Sequence, residues 1–208
     1  MPSIMSTSET VPLSILPPLA DCYYCYCFCE ENIWKLCESV KKNFPNELSR
    51  TYAVFISNKE RKVPLWMQKA SGQGELPVVW DYHVILIHMD ASCGSQVYDM
   101  DTVLPFPIDF EEYVTVAVRS NDVLRQEYFR FFRVVPAQEF LDMFASDRSH
   151  MKKENGEWRT PPPSHPCIVA KDGTTMNLDN FINMEKGTGH GEVMTLNELT
   201  AKFKDSNS

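Results

Sequence analysis

Three features of the 208-residue chain predict an α+β fold with a mostly antiparallel central sheet and flanking helices. Strand signals stand together in the middle of the sequence, helical periodicity lies mostly outside that block, and no regular strand–helix alternation is present to build βαβ units. Residues 30–41 form the first element. Ile33, Leu36, Cys37 and Val40 recur at helical spacing, acids occupy the first turn and lysines the last, so a helix starts at or just after Cys29. Residues 52–57 are a β-branched and aromatic run, and residues 63–66 form a second strand after a charged turn at 58–62. The near-continuous apolar stretch 78–88 predicts a central strand buried on both faces. A turn at 90–95 returns the chain through a strand at 96–101, which Leu104-Pro105-Phe106-Pro107 ends. Residues 110–118 and 123–131 read as helices, 133–135 as a strand and 137–144 as a short helix. Residues 196–203 are the last helix, which Thr195 caps with Glu198 three positions on. Residues 1–20, rich in Ser, Thr and Pro, are expected to form a mobile leader, and 21–208 a single catalytic domain.

Charge and cysteine usage narrow the function classes. There are 28 acidic against 20 basic residues, a net charge of -8, so no broad basic surface is available to neutralise a phosphate backbone. Nucleic acid is not an expected partner, whereas a cationic ligand such as a free amino terminus would be attracted. No run of 18 apolar residues occurs, so no membrane partner is expected. Met1 to Leu19 carries no Lys or Arg to make a signal-peptide n-region. Seven cysteines, an odd number with Cys22, Cys25, Cys27 and Cys29 crowded together, depart from a secreted disulfide framework. A reduced protein of the cytoplasm or nucleus is the expectation.

The crowded cysteines admit four chemistries. They could supply four thiolates to a structural zinc, although zinc knuckles use two separated pairs and no second pair follows. They could be small core hydrophobes, the default for Cys25, Cys27 and Cys37. Cys22 and Cys25 have redox-pair spacing without its usual context. Cys29 alone stands at a helix start, where unpaired backbone N–H groups and the helix dipole favour thiolate. Glu30 and Glu31 oppose that effect, so a nearby imidazolium is required for it to prevail.

Of the five histidines, His165 and His190 fall in loops and read as surface residues. His88 ends a strand, and His150 follows a polar run where a structural network and catalysis are both open. His83 interrupts a buried strand, where a polar side chain has to be paired or functional. If the hairpin turn centres near Ser92, His83 lies opposite Asp101 and diagonal to Asp99, all on one face. A turn shifted by one residue sets His83 directly opposite Asp99. Either register gives a His–Asp pair beside a helix-start thiol. The chain order Cys, His, Asp matches the papain/transglutaminase-like architecture, whose chemistry is acyl transfer through a thioester.

At these residues the sequence closely resembles the protein N-terminal glutamine amidohydrolase family. The resemblance rests on Cys29-Glu30-Glu31-Asn32-Ile33-Trp34, on Tyr52-Ala53-Val54-Phe55-Ile56-Ser57-Asn58 and on Trp80-Asp81-Tyr82-His83. Tyr98-Asp99-Met100-Asp101-Thr102 through Pro107, and Phe144-Ala145-Ser146-Asp147-Arg148-Ser149-His150-Met151, complete it. It implies Cys29 as nucleophile, His83 as acid–base and Asp99, rather than Asp101, as the orienting acid. It also implies conversion of a protein's amino-terminal glutamine to glutamate with release of ammonia, feeding the arginylation branch of the N-degron pathway. A monomer without cofactor or metal, working in cytoplasm and nucleus, goes with it. For the substrate's α-ammonium the acids to consider are Glu31, Asp81 and Asp101, with Glu31 preferred as nearest to Cys29 in sequence. The Cys29 backbone N–H is a candidate oxyanion donor. Another thiol acyl-transfer enzyme, a peptidase or transglutaminase, and a zinc-binding module are the competing readings.

Overall fold

In the computed structural model, which describes residues 14–72 and 76–204, the helix that begins at Cys29 comes first. In chain order the elements are α1 (Cys29–Asn43), β1 (Thr51–Ser57), β2 (Val63–Leu65), β3 (Val78–Trp80), β4 (His83–Asp90), β5 (Gly94–Tyr98) and β6 (Ile108–Asp109). They continue with α2 (Phe110–Tyr113), β7 (Phe131–Pro136), α3 (Ala137–Met143), α4 (Leu178–Ile182), β8 (Glu192–Met194) and α5 (Leu196–Phe203). A six-stranded sheet runs β6-β5-β4-β1-β7-β8, and every neighbouring pair is antiparallel. The α+β class and the mostly antiparallel sheet expected from the sequence are what the chain adopts.

Side-chain alternation along the strands sorts the apolar residues into two layers. Ala53 and Phe55 of β1, Val84 and Leu86 of β4 and Val135 of β7 face the stripe of α1 formed by Ile33, Leu36, Cys37 and Val40. On that side Phe55, Phe140, Phe144 and Phe181 pack ring against ring, with centroids 4.9–6.4 Å apart. Val54, Ile56, Ile85, Ile87, Val97 and Val134 face the other side, against Phe110, Tyr113, Leu199 and Phe203. The capping box of Thr195 and Glu198 starts α5 as the sequence indicates.

Three expectations need correction. Residues 78–88 are not one strand: β3 pairs with β2 in a separate ribbon, and β4 alone enters the main sheet. The break falls at Asp81 and Tyr82, where the Asp81 carboxylate accepts the Tyr82 N–H (3.0 Å) and its side chain is 65% exposed. An apolar run conceals such a break because Trp80 and Tyr82 turn inward for reasons unrelated to the ladder. Residues 123–131 do not form a helix either, but two short 3-10 turns, Asn121–Val123 and Gln126–Tyr128. Side chains satisfy the backbone there instead of helical bonds. The Asn58 amide donates to Glu127 and Phe129 carbonyls, and buried Arg130 donates to the carbonyls of Pro64, Val118 and Arg119. Finally, Ile15 and Leu16 lie within the stretch expected to be a leader, yet both are buried against the α1 layer; residues 1–13 fall outside the described residues. The short elements β6, β8 and α4 carry too few residues for a periodic signal.

The four-phenylalanine cluster is the densest part of the α1 layer. Phe140→Ala is expected to lower stability by about 3–5 kcal/mol through lost transfer energy and a residual cavity. Urea denaturation should show a lower midpoint at unchanged slope.

Candidate active site

The hairpin β4–β5 brings the first two candidates together. Its pairs, from Leu86 with Tyr98 to Asp90 with Gly94, keep the register centred on Ser92. Continued past Tyr98, that register sets His83 opposite Asp101. The chain leaves the ladder after Tyr98, however, and the contact formed is the diagonal one: His83 Nε2 lies 2.9 Å from Asp99 Oδ1. His83, the first residue of β4, is itself held against Ile56 of β1.

Asp99 is fully buried and accepts four hydrogen bonds. Oδ1 takes His83 Nε2 and the Asp101 backbone N–H (2.9 Å each), and Oδ2 takes the Tyr113 hydroxyl (2.8 Å) and Gln68 Nε2 (3.1 Å). Burial works against its charge, but the His83 charge, the His83 hydrogen bond and the other donors outweigh it, and the carboxyl stays below the usual range. Burial likewise disfavours the His83 imidazolium, while the charge of Asp99, its hydrogen bond and the charge of Asp101 carry the ring above its ordinary value. The Trp80 ring stacks on His83 at 5.4 Å and 18°. With Nε2 committed to Asp99, Nδ1 is the ring nitrogen left for proton transfer.

Cys29 opens α1, the helix packed on the opposite face of the sheet. The backbone N–H of Val84, the residue after His83, favours the Cys29 thiolate. Nearby, Asn32 fixes the approach to the helix by exchanging two 2.8 Å bonds with the backbone of Cys25. The helix start does not leave the thiol ionised. Enclosure of the sulfur, then the charges of Glu30 and Asp101, push its pKa well above the ordinary value, and the Val84 N–H only partly offsets them. Glu30 is the nearest cause: its Oε2 lies 3.7 Å from Cys29 Sγ. The expectation of a dipole-favoured thiolate is corrected on this point, because desolvation and two carboxylates exceed what one helix turn supplies.

A cavity of about 420 Å3 joins these groups, lined among others by Cys27, Cys29, Trp80, His83, Asp101 and His150. The three acids singled out for the ammonium lie very differently. Glu31 is buried with both oxygens on the guanidinium of Arg148 (2.9 and 2.8 Å), which makes it a brace rather than an open ligand. Asp81 stands at the exposed rim, 3.9 Å from Arg61. Asp101 is on the cavity wall and accepts the Tyr24 hydroxyl at 2.6 Å. Arg61 and Arg159 line the same cavity, so the overall charge of -8 does not describe its local field.

The clustered cysteines do not converge on a common point. Cys22 Sγ approaches the Pro17 and Pro18 carbonyls and Cys25 Sγ that of Pro161, and all are free thiols. Among the described residues, the ligand-capable group that does gather is His83, Asp99 and Asp101. There both Asp99 oxygens already accept two protein donors each, the pattern of an orienting carboxylate rather than of a metal ligand.

A family model for N-terminal glutamine amidase matches residues 24–203. The chain is 49% identical over 191 residues to the protein N-terminal glutamine amidohydrolase of Homo sapiens, with 92% of each chain covered. It is 48% identical to the Bos taurus protein of that name over 191 residues (92% and 91% covered) and 49% identical to the Drosophila erecta one over 192 (92% and 93%). The chain belongs to the N-terminal glutamine amidase family. It is an amidohydrolase, as the motif resemblance implied.

Several residues that shape the site of this amidase carried little sequence signal. Gln68 and Tyr113 lie 31 and 14 positions from the Asp99 they bond, and only tertiary packing brings them there. Arg148 could have been suspected from its motif. It is buried in a left-handed conformation, and besides Glu31 it binds the carbonyls of Pro163, His165 and Pro166. It thereby ties the proline-rich loop to the start of α1. Arg148→Ala should strand the buried Glu31 charge and cost about 3–5 kcal/mol. Arg148→Lys should recover only part of this in thermal unfolding, because a lysine cannot reproduce the two-pronged contact.

Proposed function

We propose that the protein hydrolyses the side-chain carboxamide of an amino-terminal glutamine in proteins and peptides, giving glutamate and ammonia. Cys29 is the nucleophile, His83 the acid–base and Asp99 the group that orients it. The observation that carries this reading is the bond between His83 and a buried, four-fold satisfied Asp99 at a cavity that Cys29 also lines. The substrate comes from the relatives, which are named for action on N-terminal glutamine.

The reaction follows from the charges. In the free enzyme the thiol keeps its proton, so His83 Nδ1 takes it as sulfur attacks the amide carbon. A C–S bond forms and the carbonyl electrons move to oxygen. The first-turn N–H of Cys29, which has no intrahelical partner, is the candidate donor for that oxyanion. His83 returns the proton to the amide nitrogen, the C–N bond breaks and ammonia leaves a thioester. Water then attacks the thioester with His83 again as base, restoring the thiol and releasing glutamate. Asparagine sets its carbonyl one methylene nearer the backbone, a displacement able to cost about a hundredfold. The glutamate produced is a terminus open to arginylation, so the reaction belongs at the entry to the N-degron pathway, in cytoplasm and nucleus, by a monomer without cofactor.

Intact-mass measurement of a Gln-initiated peptide should show exchange of NH2 for OH, with stoichiometric ammonia and no change in Cys29→Ala. Peptide fragments, or incorporation of an added amine, would instead establish a peptidase or transglutaminase. Asp99→Asn should reduce kcat by roughly 10³–10⁴-fold, by analogy with other nucleophile–His–Asp sites. His83 works as a base only when neutral, so the rate rises with pH through its elevated pKa. Removing the Asp99 charge lowers that pKa, and the acid limb of the residual activity should move to lower pH.

A further inference from the structure

One polar cluster beside the cavity is used neither by the triad nor by the Arg148 brace. Glu30 is fully buried, and its Oε2 accepts the Tyr82 hydroxyl at 2.9 Å. Its Oε1 has no hydrogen-bond partner among the described residues. Facing that oxygen at ion-pair distance, 3.5 Å, is His150 Nε2, and both ring nitrogens of His150 are also buried without a hydrogen-bond partner among the described residues. A buried carboxylate oxygen and an imidazole left unpaired side by side carry a desolvation cost that a donor between them would relieve. His150 lines the cavity together with Cys29, and Glu30 lies directly behind these two.

We propose that Glu30 and His150 form the pocket for the substrate's α-ammonium, the group that distinguishes an amino-terminal glutamine from an internal one. The proposal rests on the N-terminal glutamine reading above and says which side chains make it selective. Geometry supports it in two ways. Oε1 and Nε2 lie 3.5 Å apart, close enough for one ammonium to donate to both, and because neither atom has accessible surface the ammonium takes its place by parting the two side chains. Four bonds separate that nitrogen from the side-chain carbonyl carbon of glutamine, a span of about 5 Å when extended. Glu30 Oε2 is 3.7 Å from the sulfur that must reach that carbon, so Glu30 stands within one glutamine's length of the thiol. The alternatives are less open: Glu31 is occupied by Arg148, Asp81 is largely in water, and Asp101 holds Tyr24. An ammonium docked here also offsets the Glu30 charge that keeps Cys29 protonated. The group that is recognised therefore eases ionisation of the nucleophile, and an empty site keeps its thiol quiet.

The test uses the inactive Cys29→Ala protein and calorimetric binding of a Gln-initiated peptide and its N-acetylated form. The free amine should bind tighter by roughly tenfold to a hundredfold, the range of a charge-assisted hydrogen bond. Adding Glu30→Gln should bring that ratio close to one while affinity for the acetylated peptide changes little. Adding His150→Leu, which removes no existing hydrogen bond, should reduce the ratio severalfold, and it decides the matter if the Glu30 variant does not fold. A ratio that persists in the folded variants overturns the pocket. A wild-type enzyme that releases ammonia from the free-amine peptide while the ratio persists leaves the reaction standing without this pocket; a wild type that releases none removes the reaction itself.

Discussion

The Asp99 carboxylate is the constraint around which the site is organised. A fully buried charge is tolerated only when its oxygens are satisfied, and here the donors come from four places: His83 on β4, the backbone of Asp101, Gln68 after β2 and Tyr113 at the end of α2. Meeting that requirement pins the end of the main sheet to the layer beneath it. The same bonds fix the orientation of His83 and, through the charge of Asp99, its basicity. Packing and the setting of His83 therefore meet in one carboxylate, and neither can be altered there alone.

A second buried-charge problem sits at the start of α1, where Glu30 and Glu31 follow Cys29 and are both fully enclosed. The two are handled in opposite ways. Glu31 receives the guanidinium of Arg148, and the motif from Ser146 to Met151 thereby braces the helix that presents Cys29. Glu30 receives the Tyr82 hydroxyl and the Cys29 thiol on one oxygen and has no hydrogen bond to the other among the described residues. Its charge, beside enclosure of the sulfur, explains why a helix N-terminus fails here to give a thiolate. Electrostatic preference at a helix start amounts to tenths of a kcal/mol up to about 2 kcal/mol, and burial with neighbouring carboxylates reverses it.

Much of this was legible before any coordinate. Runs of β-branched, aromatic and apolar residues placed β1 and β4, the turn residues at 90–95 left two registers of which the strand pairs keep the one centred on Ser92, and the helical stripe of α1 is the face that packs. Legibility failed where side chains from distant segments replace local bonds. Residues 123–131 have helical periodicity, but the Asn58 amide takes the carbonyls of Glu127 and Phe129. Residues 78–88 have one apolar signature, but the chain divides at Asp81 between two sheets. Periodicity reports which side chains avoid water and is silent about which backbone groups are bonded from elsewhere.

By itself the sequence determined the fold class, the candidate nucleophile, the histidine and the family, because each is written in local patterns: a helix start, a polar residue in a strand, a run of unusual motifs. Strand pairing, with its period of two, confined the acid beside His83 to Asp99 or Asp101, and the family resemblance chose Asp99. Only the tertiary structure decided that Gln68 and Tyr113 satisfy that carboxylate, that Glu31 is spent on Arg148 and that Glu30 lies against Cys29. Those outcomes depend on desolvation and on donors brought from many residues away. A chain's sequence names the charges it carries, and its packing determines which of them are neutralised.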